Sequence, residues 1–273
     1  EGYVSVAFCW VALSLCGALP LYFSGSFPNP VDALFEIVSG FTTTGSSVLL
    51  DVESVHRAVL IWRSFSHWVG GMGVLVFMLA LLPMGGASSM HLMRAESPGP
   101  SVGKLVPKVR STAKILYEIY SFLTIVLMIL LVISGCPVFD SINLAFATAG
   151  TGGFAVLNSS AADYNAATQW ILTIFMILFG VNFNVYFLFY VKKWKDGLRC
   201  EEARAYLGII LGSVALISFN IYHLVRNVEL TVRQAAFQVA SIITTTGFGS
   251  ADFDQWPEFS KCIMVLLMFI GAC

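Results

Sequence analysis

Apolar runs long enough to cross a lipid bilayer dominate this chain and leave it few choices of fold. A spanning helix needs about 20 predominantly apolar residues. Runs of that order cover 3–24, 58–82, 113–135, 168–191 and 205–225, and another continues from about 259 to 273. Within a bilayer each segment must satisfy its own backbone N–H and C=O groups, so such runs fold as helices. They do not alternate with polar residues at the period of a strand. Charged residues are 11% of the chain, under half of the roughly 25% usual in soluble domains, too few to coat a core of this size. The expected class is an all-α polytopic membrane protein.

The chain opens on Glu1, with neither a basic leader nor a cleavage site around the first apolar run, so that run does not read as a signal peptide. The lack of an initiator Met and the unfinished last run predict truncation at both ends. Six cysteines show no CxxC or Cys/His spacing, and Cys9, Cys16, Cys262 and Cys273 lie inside apolar runs. They are read as membrane packing, with Cys136 at a segment end and Cys200 among basic residues.

Between alternate spans lie three shorter pieces, 30–41, 138–149 and 231–243. A helix of such length covers roughly 18 Å, too short for a hydrocarbon core about 30 Å thick but long enough to enter halfway and return. Charge fixes the side of entry. Arg94, Lys104, Lys108, Arg110 and Lys114 lie in 83–114 beside the single acid Glu96, and Lys192, Lys193, Lys195, Arg199 and Arg204 lie in 192–204. These ten of the chain's 15 Lys and Arg mark the cytoplasmic face. Segments 25–55 and 136–168 hold no Lys or Arg, only Asp32, Glu36, Asp51, Glu53, Asp140 and Asp163. The third such segment is mixed, with Arg226 and Arg233 beside Glu229, Asp252, Asp254 and Glu258. The short pieces therefore enter from outside, beneath an acidic mouth that concentrates cations.

Those pieces are copies of one another. DALFEIVSGFTTTG (32–45), DSINLAFATAGTGG (140–153) and QAAFQVASIITTTG (234–247) align without a gap, each between two long apolar spans. Small residues recur in register at Ala33, Ser141 and Ala235 and at Ser39, Ala147 and Ser241, and each copy closes on glycine at Gly45, Gly153 and Gly247. The unit is helix, half-helix, glycine loop, helix. Its expected bounds are 2–82, 113–192 and 205–273 (cut short in its second helix), joined by cytoplasmic loops 83–112 and 193–204. Asn29 is a good N-cap ahead of Pro30 and Asp32, and Thr231 with Gln234 reads as a capping box. Pro137 takes the cap column in the second copy. Each half-helix points the negative end of its dipole at the membrane centre, which favours a cation there.

A single Thr-Thr-Thr-Gly could simply end a helix. Three in register read as a filter. Non-helical backbone at bilayer depth is tolerated where it is buried in protein or lines an aqueous path. A Thr/Gly run can turn successive carbonyl oxygens, with Thr hydroxyls, onto one axis, where they replace the hydration shell of K⁺. Glycine supplies the positive φ this requires. The candidate ion-binding residues are Thr43, Thr44, Gly45, Thr151, Gly152, Gly153, Thr245, Thr246 and Gly247, with K⁺ held by the backbone carbonyls of Thr43, Thr44, Thr151, Gly152, Thr245 and Thr246. No cofactor is expected; K⁺ is the transported ion.

SGFTTTGSSVL (39–49), WVGGMGVLVF (68–77), LMRAESPGP (92–100), KLVPKVRSTAKILYEIY (104–120), GTGGF (150–154) and TTTGFGSADFDQWP (244–257) resemble the Trk/Ktr/HKT superfamily of K⁺ transporters, and its bacterial TrkH branch most. The likeness covers essentially the whole chain. It implies four linked repeats around one pore, multi-pass in the bacterial plasma (inner) membrane. K⁺ selectivity in the family goes with a filter glycine, matched by Gly45, Gly153 and Gly247; the serine of Na⁺-permeable relatives is absent. It further implies a homodimer and a nucleotide-binding regulatory subunit, TrkA-like, docked at the cytoplasmic face, where the basic loops would otherwise meet anionic lipid. No nucleic-acid partner is expected. The family's fourth repeat and first helix pair are absent from this sequence, and IGAC (270–273) falls near its intramembrane gating loop. Three quarters of a filter cannot enclose an ion, so this piece alone is expected not to conduct.

Other classes fit less well. A membrane enzyme needs facing acids or an HExxH-type metal set within the spans, and neither is present, so the chain is expected not to be an enzyme. A Na⁺-permeable or mixed relative and a non-conducting scaffold stay open. Gly70, Gly71 and Gly73 read as close helix packing more than a hinge. Arg63 and His67, in the outer half of their span, read as interfacial or snorkelling more than as buried charges with a role. Glu118 is expected to face the cytoplasmic interface or pair with Lys114. Asn182 and Asn184 are expected to make interhelical hydrogen bonds or to line an inner vestibule.

Overall fold

Large apolar side chains face outward along the longest helices: Phe8, Val11, Leu15, Leu19 and Phe23 on one, Phe122, Ile125, Ile129 and Ile133 on another, Leu207, Leu211 and Phe219 on a third. A surface of that kind suits hydrocarbon as solvent. The computed structural model describes residues 2–73 and 109–271. The end of the expected 58–82 span, most of loop 83–112 and the residues 272–273 lie outside them. Among the described residues there is no strand. The helices are α1 (Gly2–Phe23), α2 (Pro30–Phe41), α3 (Arg57–Gly71), α4 (Val109–Ile133), α5 (Val138–Ala149), α6 (Ala166–Phe179), α7 (Phe183–Tyr190), α8 (Trp194–Leu198), α9 (Glu201–Val225), α10 (Val228–Ile243) and α11 (Glu258–Ile270).

Among the described residues, two helices, over Lys114–Ile133 and Glu201–Val225, are long and apolar enough to cross a membrane by length and composition. α1, with 22 residues, matches the expected 3–24 run. The 168–191 run is not one helix: α6 stops at Gly180 and α7 restarts at Phe183. A Cβ on Gly180 would meet the Tyr206 hydroxyl and the Thr244 methyl, so this residue lets two neighbours approach where the backbone turns. α3 likewise ends at Gly71, and the Gly73 amide closes a turn on the Gly70 carbonyl at 2.8 Å.

The half-helices form for the reasons their caps give. Asn29 Oδ1 accepts from the Val31 N–H at 3.1 Å, with Pro30 first in the helix and Asp32 in its first turn. α5 begins after Pro137 with no side-chain cap. The third differs from expectation. Asn227, not Thr231, is the cap, accepting from the Leu230 N–H at 3.2 Å, and the helix has 16 residues. Thr231 lies one turn inside, its hydroxyl donating back to the Asn227 carbonyl at 2.7 Å.

Each half-helix packs between its flanking long helices and has its own apolar cluster: Leu21, Ala33, Ile37 and Phe41 in the first; Leu127, Leu144, Leu172 and Met176 in the second; Ile217, Ala235, Val239 and Met264 in the third. Neighbouring units interlock in chain order, α3 lying on α5 and α6 on α10. This order brings the three glycine loops together.

Candidate functional site

The site is built where each half-helix ends. In the first, the Thr43 N–H donates to the Gly40 carbonyl at 3.1 Å and the Thr44 N–H to the Ser39 carbonyl at 2.9 Å. In the second, Thr151 donates to Thr148 at 3.1 Å and Gly152 to Ala147 at 3.0 Å. In the third, Thr245 donates to Ile242 at 3.0 Å and Gly247 to Ser241 at 3.3 Å. The first two are Schellman terminations, yet the residue in the left-handed region is not glycine. It is threonine in all three copies, Thr43 at φ 55°, Thr151 at φ 53° and Thr245 at φ 57°. A β-branched residue there is a true outlier, costing roughly 1–2 kcal/mol. Two residues on, Gly45, Gly153 and Gly247 again have positive φ, at 74°, 75° and 83°. The residue between is not among those with positive φ, so the sign of φ alternates along each loop.

The loops lie against one another in chain order. A Cβ on Gly45 would fall on the Gly152 carbonyl oxygen, and one on Gly153 on the Thr246 carbonyl oxygen. For Gly247 no heavy atom lies within 4 Å of that position among the described residues. Further out, Asn158 ties the first loop to the second, its amide donating to Asp51 at 2.8 Å and its carbonyl accepting from the Val52 N–H at 2.8 Å. The Ala161 N–H donates to the Gly249 carbonyl at 2.8 Å, joining second to third.

In the first and third loops, two threonine hydroxyls each are tied up within the loop. Thr42 Oγ1 donates its one proton to the Val38 carbonyl at 2.7 Å, so the 2.9 Å contact between Thr42 and Thr44 uses the proton of Thr44. Thr244 and Thr246 repeat this, with Thr244 donating to Ala240 at 2.7 Å. The expectation that these hydroxyls point freely at an axis is thereby narrowed.

Behind the first loop lies a buried ion pair. Arg63 (2% exposed) donates from Nε to Glu36 (0% exposed) at 2.6 Å. The same carboxylate accepts from the Ser47 hydroxyl at 2.8 Å and the Val48 N–H at 3.0 Å. The Arg63 guanidinium stands 4.2 Å from the centre of the Phe154 ring. His67 is fully buried and stacks on that ring at 4.0 Å. Neither residue snorkels, contrary to expectation, because each has a protein surface to pack on. The glycines after them do allow close packing: Gly70 lies under the Phe41 carbonyl and Gly71 under Gly150.

The family described as TrkH, cation transport protein, matches residues 1–273. The chain belongs to the TrkH family. It is 37% identical over 280 residues to the Trk system potassium uptake protein TrkH of Salmonella typhimurium and 36% identical over 283 residues to that of Escherichia coli K12. Each match covers 100% of this chain and 58% of the relative. The crystal structure of the potassium transporter TrkH from Vibrio parahaemolyticus matches with a TM-score of 0.82 and 30% identity, over 100% of this chain and 56% of that one. The chain thus spans somewhat over half the length of the TrkH proteins it matches, and TrkH membership makes it a membrane protein of a cation-transport family.

Other sequence readings in this TrkH chain resolve simply. Lys114 and Glu118 pair at 3.7 Å. The Asn182 amide donates to Glu202 on α9 at 3.1 Å. Sequence reasoning missed Glu36 as the partner of Arg63; its signal was an acid, with no basic residue nearby in sequence, inside a piece expected at bilayer depth. It also missed the left-handed threonines, for which no local signal exists.

Proposed function

We propose that this chain supplies three pore loops of a K⁺ uptake pathway, with the ion coordinated by the backbone carbonyls of Thr43, Thr44, Thr151, Gly152, Thr245 and Thr246. The observation that carries this reading is the contact of each loop with the next in chain order combined with their shared alternation of φ. Alternating the sign of φ turns successive peptide planes the same way, so carbonyls collect on one side of a strand. Holding them there in strained threonine conformations is a constraint met at ion and ligand sites. The half-helix C-termini end beneath the loops and add negative potential. In this reading the units run 2–82, 113–192 and 205–273, and the protein is a transporter, not an enzyme, in a bacterial inner membrane.

The names of the relatives, potassium uptake proteins of bacteria, support the choice of ion and membrane. The exposed Lys192, Lys193 and Lys195 offer a basic face that suits a TrkA-like regulatory subunit or anionic lipid, and assembly as a homodimer is proposed with it.

The test is cation uptake into liposomes by the complete protein. Gly45→Ser should lower the preference for K⁺ over Na⁺, since its side chain falls on the Gly152 carbonyl. Unchanged selectivity contradicts the assignment. The alternative, a Na⁺-permeable or mixed transporter, predicts no K⁺ preference in the unaltered protein.

A further inference from the structure

Resting on that filter, we propose that Arg63 and His67 of α3 are positioning residues for the second loop, which the first repeat holds in place from outside. The three repeats brace their loops unequally. At the column of Glu36 the other copies have Leu144 and Gln238, and at the column of Ser39 they have Ala147 and Ser241. In the first repeat Glu36 accepts from Ser47 and Val48, just beyond Gly45. In the third, Gln238 Nε2 donates to the Ala251 carbonyl at 2.9 Å and the Ser241 hydroxyl to the Phe248 carbonyl at 2.7 Å. The half-helix of the second repeat has only Leu144 and Ala147 at these columns, and neither side chain can hydrogen-bond.

α3 sets two side chains against the start of the second loop. Arg63 and His67, one turn apart, both contact the Phe154 ring, at 4.2 and 4.0 Å from its centre. A Cβ on Gly152 would strike the His67 imidazole, and one on Gly150 the His67 backbone. Among the described residues neither ring nitrogen of His67 has a hydrogen-bond partner, and the imidazole packs as a flat ring between Phe154 and Gly152. Arg63 serves two loops together: its ion pair with Glu36 fixes the first, and its planar face on Phe154 fixes the second. The carbonyl of Gly152, which sits against Gly45, is thereby set by side chains of the first repeat.

The experiment measures K⁺ half-saturation, maximal uptake and K⁺ over Na⁺ preference in liposomes for the complete protein. His67→Ala should cut the preference about tenfold and raise K⁺ half-saturation by a similar factor. His67→Phe, which keeps a ring on Phe154, should restore both. Arg63→Lys, which keeps the charge facing Glu36 but not the planar face, should lower the preference, and adding it to Phe154→Leu should cause no further loss. Should His67→Ala fail to fold, His67→Leu and Arg63→Lys are read on the same scales. The inference is overturned if these variants fold and keep unaltered preference and half-saturation, or if His67→Phe is as impaired as His67→Ala. Gly45→Ser run alongside separates the two claims. A shift there without one at His67 and Arg63 sinks the positioning role alone, whereas no shift at Gly45 sinks the filter and this inference with it.

Discussion

A side chain on Gly45 would collide with the carbonyl oxygen of Gly152, a residue more than a hundred positions further along the chain. The contact is between backbones, so neither partner can swing aside as a side chain would. Gly153 stands in the same relation to Thr246. The first loop is therefore spaced from the second, and the second from the third, by the absence of a Cβ at Gly45 and Gly153.

Alanine at either glycine should disturb that spacing. Gly45→Ala and Gly153→Ala each introduce a backbone clash and a left-handed penalty of about 1–2 kcal/mol. Each should reduce K⁺ preference over Na⁺ on the order of tenfold, read by Rb⁺ uptake in competition with Na⁺ into liposomes bearing the complete protein.

The Glu36–Arg63 pair should be a stability element as well as a brace. Removing one partner leaves an uncompensated buried charge, at a cost of about 3–5 kcal/mol. Glu36→Leu should therefore lower the thermal midpoint of the detergent-solubilised protein sharply. The double variant Glu36→Leu with Arg63→Met should recover much of that loss, while the Val48 N–H, deprived of its acceptor, keeps recovery incomplete.

At the break between α6 and α7, Gly180 faces the Tyr206 hydroxyl, which donates to the Ile177 carbonyl at 3.2 Å. Gly180→Ala should destabilise by about 1–3 kcal/mol through overpacking. Tyr206→Phe removes one of the two atoms in the way, the Thr244 methyl remaining, so the double variant should be less destabilised than the sum of the two single changes.

The clasp at the outer mouth should weaken with acid. The Asn158 amide beside Asp51 holds its carboxyl below the ordinary carboxylate range. A depressed carboxyl stabilises the fold above its unfolded value and loses that contribution as pH falls through its folded value. Asp51→Ala should lower the thermal midpoint at neutral pH, and the gap to the unaltered protein should close below about pH 4.

Much of this arrangement is legible in sequence because it is local. The bounds 30–41 and 138–149 follow from apolar composition, Asn29, Pro30 and the glycine that closes each copy, and the structure ends α2 and α5 at those residues. The third half-helix starts earlier because Asn227 outcompetes Thr231 as a cap. Arg63 and Glu36, 27 residues apart, meet only through tertiary packing, so the sequence offers Arg63 as an interfacial charge. The left-handed threonines run against propensity, and no local pattern announces a residue held in strain by the loops around it. Gly180 and Asn182 are weak breakers inside a run long enough for one span, and only the close approach of Tyr206 and Thr244 shows why the helix breaks there.

The coordinating carbonyls can be located by anomalous scattering from Rb⁺ in crystals of the complete protein. Ion density is expected on the axis between the loops, bounded by the carbonyls of Thr43, Thr44, Thr151, Gly152, Thr245 and Thr246. Ions bound elsewhere, with those carbonyls turned away from the axis, would contradict that expectation.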